Sequence, residues 1–427
     1  MKDELNIPLF EMIICLSEAI DLISQEVNGH HKRVAYIANS IATEMGLSEQ
    51  EQRDLIVAGA LHDAGAFSLR ERLNALEFEE SCEYDQGEKS EHAEMGYKLI
   101  KRFKPFAKIA PLIRYHHVLW DGGKGAEIDG DVIPIGGHIL HLADRVDVLI
   151  NKKIDILNQK DDICRRIERE SNEMFIPEAV EAFLSLSKKE AFWFNTTSSN
   201  LTRILAKKSG SERINLNLDG LLSLARLFSD IIDFRCQFTA THSSGVAASA
   251  EILAELAGFK RKECVMMKVA GYLHDLGKLA VPPEILNKLA KLTKREFNII
   301  KQHPFYTYRI LDRVNGLEEI NHWAALHHER LDGTGYPFHY NEDYLPIGSR
   351  IMAVADVFTA VSEDRPYRKG MRKDKVLNIL KDMSSESALD AEIVLIIEQY
   401  YDEINRVRQF AQNQEIKKYG ALHKVSI

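Results

Sequence analysis

Histidine and aspartate recur in this 427-residue chain in a fixed order, and both residue types hold divalent ions. In the C-terminal half the order is His242, His274, Asp275, His303, His327, His328 and Asp356. Imidazole nitrogen suits iron, manganese or zinc, and a carboxylate adds charge and can bridge two ions. Seven donors are too many for one ion; they suit two ions that share Asp275, with positions left for water. Two neighbouring ions can acidify a water and hold a phosphoryl oxygen, the arrangement for in-line phosphoester hydrolysis. The N-terminal half repeats the order as His30, His62, Asp63, His92, His116, His117 and Asp144, with Glu26 four residues before His30. A lone buried histidine is ordinarily a satisfied core residue. An adjacent pair such as His327-His328, buried without a shared partner, would instead cost several kcal/mol. The set as a whole is therefore read as a metal centre, with a second candidate centre in the first half.

The elements that position these donors follow from the spacing. His62-Asp63 and His274-Asp275 lie 212 residues apart, as do His30 and His242, and Asp144 and Asp356. His92 and His303, and the pairs His116-His117 and His327-His328, keep an offset of 211. An offset of 211 or 212 held across five landmarks means two copies of one domain. The segments RDLIVAGALHDAGAF and KVAGYLHDLGKLAV are apolar nearly all round, which predicts buried central helices. Alternating valine-rich stretches are absent, and prolines stand at helix starts and in loops. The expected fold is all-α: two tandem helical domains, residues 1–195 and 196–427, joined where TTSSN and KKSGSERIN loosen the composition around residues 195–217.

Composition narrows the function classes. With 45% hydrophobic and 28% charged residues the chain reads as globular. A net charge of −9 and a pI of about 6.0 oppose a general nucleic-acid binder, although a few local Lys or Arg residues suffice for a small anion. The five cysteines form no CxxC pair, which suits a reducing compartment and supplies no thiolate zinc site. The N-terminal stretch reads as an amphipathic helix, not a signal peptide, and no uncharged apolar run approaches the ~18 residues of a membrane span. A cytoplasmic protein with no membrane and no nucleic-acid partner is expected. The amphipathic stretches 5–23 and 391–410 offer faces for a homodimer or a protein partner.

The second copy carries HDLGK at His274–Lys278, HHERLDGTGYP at His327–Pro337 and VADVFTAVSEDRPYR at Val354–Arg368. With these motifs in this order, about residues 220–400 resemble the HD-GYP domain of bacterial cyclic-dinucleotide phosphodiesterases. About residues 10–190 resemble a plain HD domain. The resemblance implies hydrolysis of a cyclic dinucleotide to its linear form at two divalent ions, iron or manganese, with His274, Asp275 and Lys278 at the reacting centre. Cyclic di-GMP comes first as substrate, with 3′3′-cyclic GMP-AMP beside it because an HD domain in tandem with HD-GYP resembles enzymes preferring that ligand. Lys278, one helical turn from His274, would meet a substrate phosphate. Tyr336 would shape the pocket, and Arg365 and Arg368 would grip phosphate or guanine, which guanidinium forks suit.

Departures from the family pattern are informative. Three-metal members have a glutamate four residues before the first histidine; here Phe238 stands there, which implies two ions and a linear dinucleotide product. Thr359 replaces an aspartate expected in many relatives. In the first copy HDAGA puts Ala66 at the lysine position, HHVLWDGGKGAEIDG lacks the GYP sequence, and no DRPYR follows Asp144. That domain is expected to bind metal, turn over cyclic dinucleotides poorly and act in regulation, with an oxygenase or nucleotidase activity of its own left open. Trp120 reads better as core than as a base-stacking platform. The rival reading of the chain is a non-catalytic cyclic-dinucleotide receptor working through a protein partner. Intact HD, Lys and GYP residues in the second copy favour catalysis.

Overall fold

In the computed structural model, which describes residues 6–22, 28–66, 86–128, 130–209, 215–235, 241–364 and 369–423, helix follows helix as the apolar spacing predicts. The N-terminal part comprises α1 (Leu9–Asp21), α2 (His30–Glu44), α3 (Glu49–Leu61), α4 (Gln86–Ile100), α5 (Ala110–Arg114), α6 (Ile135–Val148), α7 (Ile156–Arg169), α8 (Pro177–Ser187), α9 (Glu190–Thr196) and α10 (Leu201–Lys208). The C-terminal part comprises α11 (Leu218–Arg235), α12 (His242–Leu256), α13 (Arg261–Leu273), α14 (Pro283–Leu286), α15 (Lys294–Ile300), α16 (His303–Leu311), α17 (Glu318–Ala325), α18 (Ile347–Ser362), α19 (Lys373–Ser385) and α20 (Ala391–His423). Extended structure among the described residues is limited to two antiparallel pairs of two-residue strands, β1 (Ile7–Pro8) with β4 (Asn215–Leu216) and β2 (Glu127–Ile128) with β3 (Asp131–Val132). The fold is all-α, and no described helix is long and apolar enough to cross a membrane.

The chain divides into two compact units: the described residues of Met12–Ile214, and those of Met1–Glu11 with Asn215–Ile427. The division falls later than composition suggests. Residues 196–209 pack with the first copy, because α9 buries Phe192 and Trp193 and α10 buries Leu201 and Leu205 against α2. Ile7 and Pro8, in turn, pair with Leu216 and Asn215 of the second unit.

The duplication is legible helix by helix: α2 and α12, and α3 and α13, have both ends offset by 212. Glycine sets their crossing. A Cβ on Gly59 would lie 2.6 Å from the Ala35 Cα, and one on Gly271 would lie 2.5 Å from the Ala247 Cα. Only a bare backbone lets each helix pair approach so closely, and that approach brings the histidine opening one helix to the His-Asp pair ending the other.

One expectation is corrected. KVAGYLHDLGKLAV is not one continuous helix: α13 ends at Leu273, Asp275 leaves helical geometry (φ −97, ψ 11), and Leu276–Ala280 form a 3₁₀ turn. The physical reason is Gly277, where a Cβ would lie 1.9 Å from the His303 carbonyl oxygen. The turn presses the HD pair onto the start of α16, so Lys278 is displayed from a 3₁₀ turn and not from a helix face.

Candidate metal centres

In the C-terminal unit the seven expected donors converge. His242 opens α12, His274 and Asp275 follow α13, His303 opens α16, His327 and His328 follow α17, and Asp356 sits within α18. They form two triads, His242–His274–Asp356 and His303–His327–His328, the donor atoms of each lying within 4.8 Å of one another. Asp275 stands between: Oδ1 is 3.3 Å from His303 Nε2 and Oδ2 is 3.1 Å from His274 Nε2. His328, the outermost ring, has its Nδ1 4.0 Å from Asp356 Oδ2.

Backbone carbonyls aim these rings. His274 Nδ1 donates to Gly271 O at 2.7 Å, His303 Nδ1 to Ile300 O at 2.7 Å and His327 Nδ1 to Ala324 O at 2.7 Å. A carbonyl only accepts, so Nδ1 carries the proton and Nε2 of a neutral ring is a bare lone pair. Burial holds His303 down to about 3 and His327 down to about 4, which keeps both rings neutral. Their Nε2 atoms nevertheless face each other at 3.4 Å. Two lone pairs at that distance repel unless a cation lies against both. His274 Nε2 and Asp275 Oδ1 are likewise buried with no hydrogen-bond partner among the described residues. This donor set fits divalent metal ions.

His242 is held differently. Its Nδ1 is 3.0 Å from Glu363 Oε1 and its Nε2 is 3.1 Å from Asp356 Oδ1. Burial disfavours charging this ring, but Glu363 and Asp356 together outweigh it and push its pKa up to about 10. Glu363 is in turn held by Gln412 Nε2 at 2.9 Å, and Gln412 by Arg408 at 2.5 Å, both from α20. Thr359, at the position of the absent aspartate, turns away to Ser249 at 3.4 Å. Glu363 was not foreseen, although it lies within the SEDRPYR motif. Its contact with His242 spans 121 residues, which local spacing does not reveal.

Charged and aromatic side chains surround the centre. Lys278 Nζ pairs with Asp275 Oδ2 at 2.5 Å. The Tyr336 ring is tilted against His328 with centroids 4.9 Å apart, and Lys301 Nζ lies 4.9 Å from the same tyrosine ring. The loop bearing Tyr336 is clamped by the buried Glu329, which accepts from Phe338 N at 2.7 Å and Tyr340 N at 3.1 Å. Arg365, Arg368 and Phe238 lie outside the described residues.

The N-terminal unit holds a parallel cluster. Asp63 Oδ1 lies 3.5 Å from His62 Nε2, 3.6 Å from His92 Nε2 and 4.0 Å from His116 Nε2. Asp144 Oδ1 lies 3.3 Å from His30 Nε2 and 3.7 Å from His62 Nε2, while its other oxygen takes a 2.5 Å bond from Arg145. His117 Nε2 is 3.0 Å from His92 Nε2. His62 and His116 point Nδ1 at Gly59 O and Ile113 O, the arrangement seen in the other unit. His30 Nδ1 is held at 2.7 Å by Asp147, itself gripped by Arg33. Asp147 was missed, yet it stands 212 residues before Thr359, so the duplication could have exposed it. Trp120 is half-buried with its ring edge-on to His138 at 5.2 Å. Glu26 lies outside the described residues.

Comparison with known proteins agrees with this duplication. The HD domain family matches twice, over residues 27–149 and 226–393. The chain is 32% identical over 414 residues to 3′3′-cGAMP-specific phosphodiesterase 1 of Vibrio cholerae, covering 93% of this chain and 94% of the relative. A cyclic di-GMP phosphodiesterase of Pseudomonas aeruginosa is 39% identical over 153 residues, 36% of each chain. A crystal structure of a cyclic GMP-AMP specific phosphodiesterase from V. cholerae shares the fold, with a TM-score of 0.64 and 23% identity over 96% of this chain and 98% of that one. The two metal-type clusters, the HDLGK and GYP segments at the second, and this full-length similarity lead to one conclusion: the chain belongs to the HD-GYP family of bacterial cyclic-dinucleotide phosphodiesterases, with a second HD domain in tandem.

Proposed function

We propose that the C-terminal domain hydrolyses 3′3′-cyclic GMP-AMP to the linear dinucleotide, with cyclic di-GMP as the secondary substrate. The observation that carries the reaction is Asp275, one oxygen facing each triad and Lys278 bonded to Oδ2. The substrate order follows the relative that spans both domains, which is named for 3′3′-cGAMP; the P. aeruginosa cyclic di-GMP enzyme aligns over 36% of the chain. Together these reverse the order the motifs suggest.

His242, His274, His303, His327, His328, Asp275 and Asp356 would hold two ions, iron or manganese, which supply Lewis acidity and an acidified water when bound. Asp275 fixes the spacing of the triads. The backbone-locked Nδ1–H groups keep the histidine lone pairs aimed inward without reorganisation. Lys278 exchanges Asp275 for a non-bridging phosphate oxygen and stabilises the charge that develops there. Tyr336 and Lys301 wall the approach, Arg365 and Arg368 take phosphate or guanine, and water adds across the P–O3′ bond, its hydroxide to phosphorus and its proton to the leaving 3′ oxygen. The N-terminal domain, with Ala66 at the lysine position and no GYP loop, serves as a regulatory metal-binding domain.

The test is turnover of 3′3′-cyclic GMP-AMP, cyclic di-GMP and cyclic di-AMP in parallel, under low oxygen with iron or manganese supplied. The expected result is a linear product, a kcat/KM for 3′3′-cyclic GMP-AMP at least ~10-fold above the others, and loss of both turnover and metal in Asp275→Ala. No cleavage of any of the three by protein holding two ions per C-terminal domain overturns the reading and leaves a metal-dependent receptor.

A further inference from the structure

His31 was not among the expected donors, yet it is fully buried in the first turn of α2 beside His30. Its Nδ1 meets Asp21 Oδ1 at 2.5 Å, and the other Asp21 oxygen accepts from Gly29 N at 2.9 Å. A carboxylate on Nδ1 places the proton there and leaves Nε2 as the lone pair. That Nε2 has no hydrogen-bond partner among the described residues and points at Asp63 Oδ2, 3.7 Å away. Donor atoms of His31, His62 and Asp63 all lie within 4.8 Å of one another.

The second copy provides an internal control. Counting 212 residues on, Asp21 becomes Asp233 and His31 becomes Ser243, whose hydroxyl donates to Asp233 at 2.8 Å. The aspartate is kept and its client differs. The exchange is matched across the site: where Ser243 stands, Lys278 holds Oδ2 of Asp275, and where His31 stands, the lysine position is the buried Ala66. Oδ2 of the shared aspartate thus faces an ammonium group in one copy and an imidazole lone pair in the other. An ammonium group competes with metal for that oxygen and can exchange it for a phosphate. An imidazole adds a donor.

We propose that the N-terminal domain holds a metal site in which His31 is a ligand positioned by Asp21, with Asp63 bridging towards His92 and His116. This rests on the reading of both clusters as metal centres. It makes the N-terminal centre richer in protein donors than the catalytic one, and so suited to retaining metal more than to admitting a phosphate.

The test is manganese binding to the full chain in an Asp275→Ala background, which empties the C-terminal centre. Free Mn²⁺ is followed by its EPR signal, with bound metal counted by mass spectrometry after desalting. The Asp275→Ala protein should retain manganese. Adding His31→Ser, the residue of the other copy, should remove at least one equivalent or weaken binding by at least ~10-fold, and adding Asp21→Asn should weaken it by about 10-fold. Unchanged stoichiometry and affinity in the His31→Ser protein overturn the proposal. If circular dichroism shows that variant to be unfolded, the Asp21→Asn titration decides on the same criterion. An Asp275→Ala protein that binds no manganese also overturns it, and leaves the phosphodiesterase reading, tested by turnover of the unmodified chain, standing or falling separately.

Discussion

Gly277→Ala tests whether the spacing of the catalytic centre is set by backbone contact, without touching a ligand. A Cβ there would lie 1.9 Å from the His303 carbonyl oxygen and 2.8 Å from Thr307 N. Both are backbone atoms of α16, so no flexible side chain can yield. Reaching ordinary contact requires α16 and the 275–278 turn to separate by about 1.5 Å, and His303 moves with α16. The 3.3 Å approach of His303 Nε2 to Asp275 Oδ1 and the 3.4 Å approach to His327 Nε2 open together. The pins across this joint, Gly277 N to Thr307 Oγ1 at 2.9 Å and Thr307 Oγ1 to His274 O at 3.0 Å, are strained as well. A displacement of about 1 Å at a reacting centre costs about 100-fold in rate, or about 2.7 kcal/mol of transition-state stabilisation; overpacking adds about 1–3 kcal/mol of lost stability. The assay is kcat/KM for the cyclic dinucleotide alongside metal equivalents per chain, and a ~100-fold fall with reduced metal is expected. Gly65→Ala, where the added Cβ would lie 2.2 Å from His92 O, should lower metal in the N-terminal centre alone. Wild-type turnover and full metal content in Gly277→Ala would show that this backbone contact does not set the spacing of the centre.

Three further outcomes are expected. Lys278→Met removes the cation 2.5 Å from Asp275 while leaving all seven donors, so metal content should hold and kcat should fall by about 10²–10³-fold; equal loss of metal and rate would show Lys278 to be structural. Glu363→Gln loses the carboxylate that orients His242 from 3.0 Å, and metal affinity should weaken by about 10–100-fold, read by chelator competition. The third concerns pH. The metal-free protein keeps a proton on His242, whose pKa is raised to about 10, and that proton must leave before the nitrogen can bind an ion. Raising the pH removes the competitor, so apparent affinity should climb by up to ~10-fold per unit, about 100-fold between pH 6 and pH 8. Competition titrations that gave a flat profile would show the ring to be neutral already.

The duplication and its chemistry were legible in the sequence because metal donors must recur in order, and an order repeated at an offset of 211 or 212 is visible without any fold. Helical class, two HD domains and the fourteen candidate donors of the two copies follow from residue type and spacing alone. So does the asymmetry between Lys278 and Ala66. Packing between distant segments settles which groups stand behind and beside the donors. His30 leans on Asp147 and Arg33, whereas His242 leans on Glu363, Gln412 and Arg408, drawn from α20 far along the chain. His31 looked like a neighbour of a ligand until Asp21 fixed its ring, leaving Nε2 aimed at Asp63. The HDLGK segment reads as helix by composition, and it breaks at His274 because Gly277 must let another helix's carbonyl come close. Residue type announces that a group can bind an ion. Whether its lone pair points at one depends on the partner of its other nitrogen, and packing across the fold supplies that partner.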